Sequence, residues 1–107
     1  MTRSDRDSLP RFGFEAEILY WRGPSPFFFA PIPPHHVAEI RRAARFVTYG
    51  WGMVPVEATI NGVAFQTSLF PKDEGYLLPI KAEVRRKTNI TAGDSISVEM
   101  EIQPPQR

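Results

Sequence analysis

The chain has 107 residues, of which 42% are hydrophobic and 12% aromatic, so its composition is that of a folded domain rather than a disordered segment. Its formal net charge is +1, which counts against a protein whose whole surface follows a phosphate backbone but leaves room for a local basic site. It contains no cysteine, which excludes disulfides, thiolate zinc sites and a cysteine nucleophile.

One domain is predicted for residues 11–103, because a chain of this length can bury one modest core. Residues 1–10 are polar and of mixed charge, without the apolar stretch of a signal peptide or a membrane anchor, and are predicted to form a flexible N-terminal arm. Residues 104–107 are predicted to be a tail. A cytoplasmic location without membrane contact is the simplest prediction from these features.

The first part of the chain predicts a strand, a short strand and a helix. Apolar and polar residues alternate from Phe12 to Tyr20, which is typical of a half-buried strand. The segment FFFAPIPP, which begins at Phe27, predicts a short aromatic strand that ends at prolines. An amphipathic helix is predicted from apolar residues at helical spacing, namely Val37, Ile40, Ala44 and Val47. The helix is predicted to end at Gly50.

The rest of the chain predicts a hairpin, a short strand, a short helix and a last strand. The segment WGMVPVEATI alternates, and the Asn61-Gly62 that follows predicts a type I′ turn, since both turn positions need a positive φ, so VAFQTSLF is predicted to be the antiparallel return strand. YLLPI then predicts a short strand, and KAEVRRKT predicts about two turns of helix. The apolar face of the last strand is predicted to consist of Ile96, Val98, Met100 and Ile102.

The two halves of the chain contain the same order of elements, which indicates a degenerate internal duplication. GWGMVPVEATI can be written over AGDSISVEMEI so that Val54 matches Ile96, and Pro31-Ile32 matches Pro79-Ile80. Two such halves predict a mainly β protein, a closed six-stranded barrel with pseudo-twofold ββαβ halves and two short helices. Closure would remove the exposed edges of several short strands.

A family resemblance is carried by five segments in this order: FFFAPIP, GWGMVPVEATING, TSLFP, YLLPIKAEVRR and GDSISVEMEI. Together they resemble the family named domain of unknown function 1905, over about Phe12 to Ile102. The resemblance implies a six-stranded double-split β-barrel, similar to the swapped-hairpin barrels of AbrB-like and MazE-like DNA-binding proteins, and it implies no activity. The chain departs from the family's usual W-x-F with Phe27 and Phe29, and it has Trp51-Gly52 after the helix, but both changes keep an aromatic residue.

The turn Gly93-Asp94, ahead of the last strand, is predicted to hold the two halves together. In barrels like those of the resembled family, the glycine takes a backbone conformation that other residues enter only with strain. The Asp94 carboxylate is expected to accept backbone N–H bonds that tie the turn to the opposite half. An ordinary helix-to-strand turn is the alternative, and neither interpretation makes Asp94 catalytic.

No catalytic site, metal site or cofactor is predicted. Carboxylate pairs at i, i+2 spacing share one strand face at Glu15/Glu17 and Glu99/Glu101. That face is the polar one, so solvated glutamates explain them better than an acid/base pair. His35 and His36 diverge, and no third ligand has a spacing suited to a metal. Ser68 has no nearby histidine in sequence and lies in no G-x-S-x-G elbow, which argues against a nucleophile.

The candidate binding site is a basic one. It comprises Lys81, Arg85, Thr67 and Ser68. Ammonium and guanidinium groups with nearby hydroxyls match carboxylates or phosphates. Arg41 and Arg45 have the same i, i+4 spacing, but the first group falls within the segments that carry the resemblance. As the alternative, these cations are simply solvated or pair with glutamates, the candidates being Glu39, Glu57 and Glu83.

The predicted function is that of a non-enzymatic small β-barrel module that binds a small anionic ligand or a partner protein. A nucleic-acid-binding regulator is the alternative, by analogy with the AbrB-like barrels, although analogy of fold is a weak warrant and the near-neutral charge counts against DNA. Because both barrel halves are present in one chain, a monomer is expected, with a loose homodimer left open.

Overall fold

The computed structural model describes residues 11–22, 26–47 and 52–103, and it shows a mainly β protein with two helices. The strands are β1 (Arg11–Glu17), β2 (Leu19–Arg22), β3 (Pro26–Pro31), β4 (Val54–Ile60), β5 (Val63–Lys72), β6 (Gly75–Pro79) and β7 (Ser95–Ile102). The helices are α1 (Pro34–Val47) and α2 (Ala82–Thr88). Among the described residues the strands form one sheet in the order β1-β7-β4-β5-β6-β3-β2, with every neighbouring pair antiparallel.

The first predicted strand is divided in two at Ile18. β1 pairs with β7 and β2 pairs with β3, so the two segments lie at opposite ends of the strand order although one residue separates them. The sheet must therefore curl until its ends approach each other at Ile18. The prediction of a mainly β fold with two helices is confirmed; the structure shows a seven-stranded curled half-barrel, and closure into six strands is not confirmed.

The strand pairing repeats between the two halves of the chain. β5 pairs with β4 through Val63–Leu69 and with β6 through Phe70–Lys72, just as β1 pairs with β7 and β2 with β3. β4 pairs with β7, and β3 pairs with β6, so each of these pairs joins two strands that have the same position in the two halves. A long strand that changes partner therefore occurs once in each half, which agrees with the internal duplication in the sequence.

The hairpin between β4 and β5 has the predicted turn. Asn61 has φ 50° and Gly62 has φ 82°, so both turn positions lie in the left-handed region. The strands close directly around the turn, with Ile60 opposite Val63. Because only a few residue types adopt this conformation at low cost, the turn fixes the register of the hairpin.

The core lies between the curled sheet and the helices. The alternating residues of β4 and β7 are buried as predicted, and α1 contributes Val37, Ile40 and Ala44 from its predicted apolar stripe. The largest of the fully buried side chains are Ile18, Ile40, Ile60, Leu69, Leu78, Ile102, Val54, Val56 and Val98. Several predicted features lie outside the described residues and side chains. They are the helix end at Gly50, the side chains of Val47 and Trp51, the N-terminal arm and the tail.

Candidate functional site

A groove of about 440 Å³ lies beside the point where β5 leaves β4 and joins β6. Its polar lining consists of Gln66, Thr67, Ser68 and Gln103. Its apolar lining consists of Met53, Pro55, Val56 and Pro79. The volume falls within the range of small-molecule sites, roughly 300–1,000 Å³, and an apolar wall with a few polar groups is typical of such sites.

Two of the four predicted site residues lie in this groove. Thr67 pairs with Val56 and Ser68 pairs with Pro55, and both side chains are half-buried. Neither hydroxyl makes a hydrogen bond to another described residue. As consecutive strand residues they point to opposite faces of β5, so the two hydroxyls are available to a ligand as separate hydrogen-bond donors rather than as an adjacent pair.

The other two predicted residues lie on α2, one turn apart. Lys81 is the N-cap residue and is exposed, and its carbonyl accepts a hydrogen bond from the Arg85 backbone N–H at 3.1 Å. The α2 helix contacts β5, as an anion site shared between them requires. Neither Lys81 nor Arg85 lines the groove, however, and no hydrogen bond or salt bridge between described residues joins them to Thr67 or Ser68.

Arg85 has a specific environment that the sequence does not reveal. Its guanidinium carbon lies 3.7 Å from the centre of the Phe28 ring, which is a cation–π contact. Its Nε donates to the Ile80 carbonyl at 3.4 Å, a long and therefore weak hydrogen bond. The ring contact holds the guanidinium against β3 and leaves its terminal N–H groups without a described partner.

The carboxylates named as alternative partners do not neutralise the candidate cations within the described part of the chain. Glu83 pairs with Lys87 at 3.3 Å, one turn further along α2. Arg41, from the second basic pair, donates to the Glu74 backbone carbonyl at 2.9 Å. Lys81 and Arg85 therefore carry charges that no described carboxylate compensates.

The Gly93-Asp94 turn connects the two halves through its backbone. The Ile18 carbonyl accepts from the Gly93 N–H at 2.8 Å, and the Ile18 N–H donates to the Asp94 carbonyl at 2.9 Å. The Asp94 carboxylate instead accepts the Thr91 N–H at 2.8 Å, within the turn itself. The expected link to the opposite half is thus present, but main-chain groups form it rather than the carboxylate.

The two carboxylate pairs lie on the polar face of the sheet. Arg11 Nε is 3.3 Å from Glu101 Oε2, and the register places Glu57 on the other side of Glu101. A second groove of about 420 Å³, lined by Glu57, Glu99 and Glu101, runs along this face. No group of three or more histidine, cysteine or carboxylate side chains suited to a metal ion occurs in residues 11–22, 26–47 and 52–103.

His36 packs against the aromatic core at the start of α1. Its ring lies edge-on to the Phe12 ring, with the two ring centroids 4.9 Å apart. The centroid of the His35 ring is 4.2 Å from that of His36. His36 Nε2 is buried without a described hydrogen-bond partner. The histidine pair therefore contributes to packing, and no third ligand approaches it among the described side chains.

Sequence patterns did not identify the carboxamides of the groove. Gln66 lies in β5 and Gln103 directly follows β7, far away in the chain, so no local motif brings them together. Pro79 lies in the segment YLLPI, which predicts a short strand, but its place opposite Phe29 depends on the pairing of β3 with β6. Only the long-range strand order assembles this surface.

No helix in the described part of the chain has the length and apolar character needed to cross a membrane. The sequence matches the family described as Domain of unknown function (DUF1905) over residues 14–100. No match was found among curated proteins. The matched residues include β4 to β6, all of α2 and the Gly93-Asp94 turn.

Proposed function

Because the chain belongs to the family described as Domain of unknown function (DUF1905), which names no activity, we propose its function from geometry: a non-enzymatic cytoplasmic module that binds a small anionic ligand. The ligand occupies the groove beside β5. One observation carries this proposal, namely that the predicted site residues Thr67 and Ser68 line one groove on the strand that the cationic helix α2 contacts.

The chemistry of the groove suits a small molecule with a carboxylate or phosphate group and an apolar part. The hydroxyls of Thr67 and Ser68 donate to the anionic oxygens. Lys81 follows the groove residue Pro79 by two positions, so its flexible side chain supplies positive charge from the rim. Met53 and Pro79, both half-buried, offer apolar surface to the remainder of the ligand.

We propose further that β1 and β2 are one bent strand, so that the curled sheet closes at Ile18 into a six-stranded barrel. The groove then lies at one of the two places where a long strand changes partner. Closure within one chain also makes the module a monomer, and a partner protein that presents a carboxylate to the same groove is the alternative occupant.

Isothermal titration calorimetry with inorganic phosphate and with succinate, each at millimolar concentration, tests the proposal. We expect the double variant Lys81→Ala/Arg85→Ala to bind about tenfold more weakly, because each charged hydrogen bond it removes is worth more than a neutral one. Thr67→Val/Ser68→Ala is expected to weaken binding as well, through loss of two donors.

The matched control is Arg86→Ala/Lys87→Ala, which removes the same charge from the same helix. It should leave affinity within about twofold, because only a specific site distinguishes the two pairs of cations. Equal losses of affinity in both double variants would show that α2 attracts anions through its overall charge and not through a specific site. If neither anion releases measurable heat with the parent protein at millimolar concentration, the proposal is withdrawn.

A further inference from the structure

The hairpin of β2 and β3 presents an aromatic surface that the proposed anion site does not use. Leu19 pairs with Phe29 and Trp21 pairs with Phe27, so these four side chains share one face of the hairpin. Phe70 of β5 extends the cluster, with its ring centroid 5.1 Å from that of Phe29. We call this cluster, formed by Leu19, Trp21, Phe27, Phe29 and Phe70, the aromatic platform.

The aromatic platform contains a stack of rings that ends in solvent. Phe29 is buried, with 3% of its surface exposed, and Phe27 stacks on it with centroids 5.9 Å apart and an interplanar angle of 18°. Phe27 itself is 44% exposed, and Trp21, whose centroid lies 6.3 Å from both phenylalanines, is 52% exposed. A further planar ring placed on Phe27 would continue this stack and cover apolar surface now in water.

A cation lies directly beside the exposed rings. Lys72 Nζ is 5.9 Å from the centroid of a Trp21 ring. Arg22, the next residue of β2, is exposed but points to the opposite face of the hairpin, as Tyr20 does. A ligand that combines planar rings with negative charge therefore matches both components of this surface.

The charges of the described residues are segregated, which the net charge of the chain conceals. Strands β1, β4 and β7 carry one arginine and five glutamates, Arg11, Glu15, Glu17, Glu57, Glu99 and Glu101. The other described residues carry nine cations against five carboxylates, and these carboxylates are Glu39, Asp73, Glu74, Glu83 and Asp94. The aromatic platform belongs to this basic remainder, whereas the acidic strands β1, β7 and β4 are neighbours at the other end of the strand order, so an anionic polymer is repelled by those strands and not by the platform.

We propose that the aromatic platform binds single-stranded nucleic acid. Unpaired bases stack on Phe27 and Trp21, and Lys72 contacts a neighbouring phosphate. A single strand is favoured over a duplex because its bases are free to leave their own stack, whereas those of a duplex have no exposed ring face except at the ends. Because stacking accepts every base, the binding has little sequence specificity.

Fluorescence anisotropy with a labelled twelve-nucleotide oligothymidine tests this site. We expect Trp21→Ala and Phe27→Ala each to weaken binding about 5- to 100-fold, the range found for loss of one stacked base. Tyr20→Ala is the matched control, because Tyr20 is 47% exposed on the same strand but points to the opposite face, against Phe28. That control should bind within about twofold of the parent.

Salt dependence separates the phosphate contacts from the stacking. Lys72→Ala should lower the slope of log affinity against log salt by about one, whereas Lys87→Ala, which removes a charge from α2, should leave it unchanged. Ultraviolet crosslinking of a 4-thiouridine oligomer to the unmodified protein gives a readout independent of any variant. The crosslinked peptide should contain residues of β2 or β3.

Several results would overturn the site. These are no binding at 100 µM protein in about 150 mM salt, equal affinity for a blunt duplex of the same length, or equal losses for Tyr20→Ala and Trp21→Ala. A concentration-dependent dimer in sedimentation that Trp21→Ala abolishes would show that the aromatic platform contacts a second copy instead. None of these outcomes affects binding of small anions beside β5, because the groove shares no lining residue with the aromatic platform.

Discussion

At the scale of single residues, the Gly93-Asp94 turn contacts the other half of the chain through its backbone and not through its carboxylate. The dipeptide was expected to join the halves through a carboxylate, but the join consists of two backbone hydrogen bonds to Ile18. The carboxylate accepts a hydrogen bond from the Thr91 N–H at an exposed position, where a water molecule can take the place of the carboxylate. Gly93, with φ +90°, has the conformation that makes the backbone contact available.

Replacement of Gly93 should therefore be more damaging than replacement of Asp94. We expect Gly93→Ala to lower the free energy of unfolding by about 1–2 kcal/mol through backbone strain alone, since a Cβ there meets no atom within 4 Å. Asp94→Ala should lower it by about 0.5–1 kcal/mol, and Asp94→Asn by less, because an amide oxygen still accepts the bond. Urea denaturation measures all three, and a larger loss for Asp94→Ala would restore the carboxylate as the main link.

At the scale of elements, α2 is a short helix held by few contacts. It has seven residues, and Val84 is its only buried residue. Isolated helices of this length are unstable in water, so tertiary contacts must hold it in place. The stacking of Arg85 on Phe28 is one of these contacts, and it connects the helix to β3.

The two candidate cations of α2 should consequently differ in their effect on stability. Arg85→Ala is expected to lower the free energy of unfolding by about 0.5–1 kcal/mol, because it removes a partly buried cation–π contact. Lys81→Ala, at an exposed position with no described partner, should change it by less than about 0.5 kcal/mol. Phe28→Leu is the control, since Arg85→Ala should cost less in that background. Equal effects of the two single variants would mean that the ring contact contributes nothing.

At the scale of the whole molecule, Ile18 occupies the position on which the curled sheet depends. It separates β1 from β2, is 1% exposed, and bonds the Gly93-Asp94 turn through both of its backbone groups. The two ends of the strand order therefore meet at one residue. A sheet whose ends are connected in this way should unfold as one cooperative unit.

Truncation of Ile18 tests this cooperativity. We expect Ile18→Ala to lower the free energy of unfolding by about 2–5 kcal/mol, as for other buried isoleucines. Amide hydrogen exchange should then show a similar loss of protection in β7 and in β3, the strands next to the two ends of the sheet. Val63→Ala, a half-buried truncation in the β4–β5 hairpin, is the comparison. A loss confined to β2 and β3 would show that the hairpin behaves as an independent unit.

By itself the sequence determined the mainly β class, both helices, the type I′ turn at Asn61-Gly62 and the apolar faces of β4 and β7. These features depend on residues close together in the chain, through side-chain alternation and backbone preference, and so local patterns predict them. Only the tertiary structure decided the division at Ile18, the groove that joins Thr67 and Ser68 to Gln103, the place of Arg85 on Phe28, and the separation of acidic and basic surfaces. Each of these depends on which strands become neighbours, because long-range pairing brings together residues that no local spacing connects.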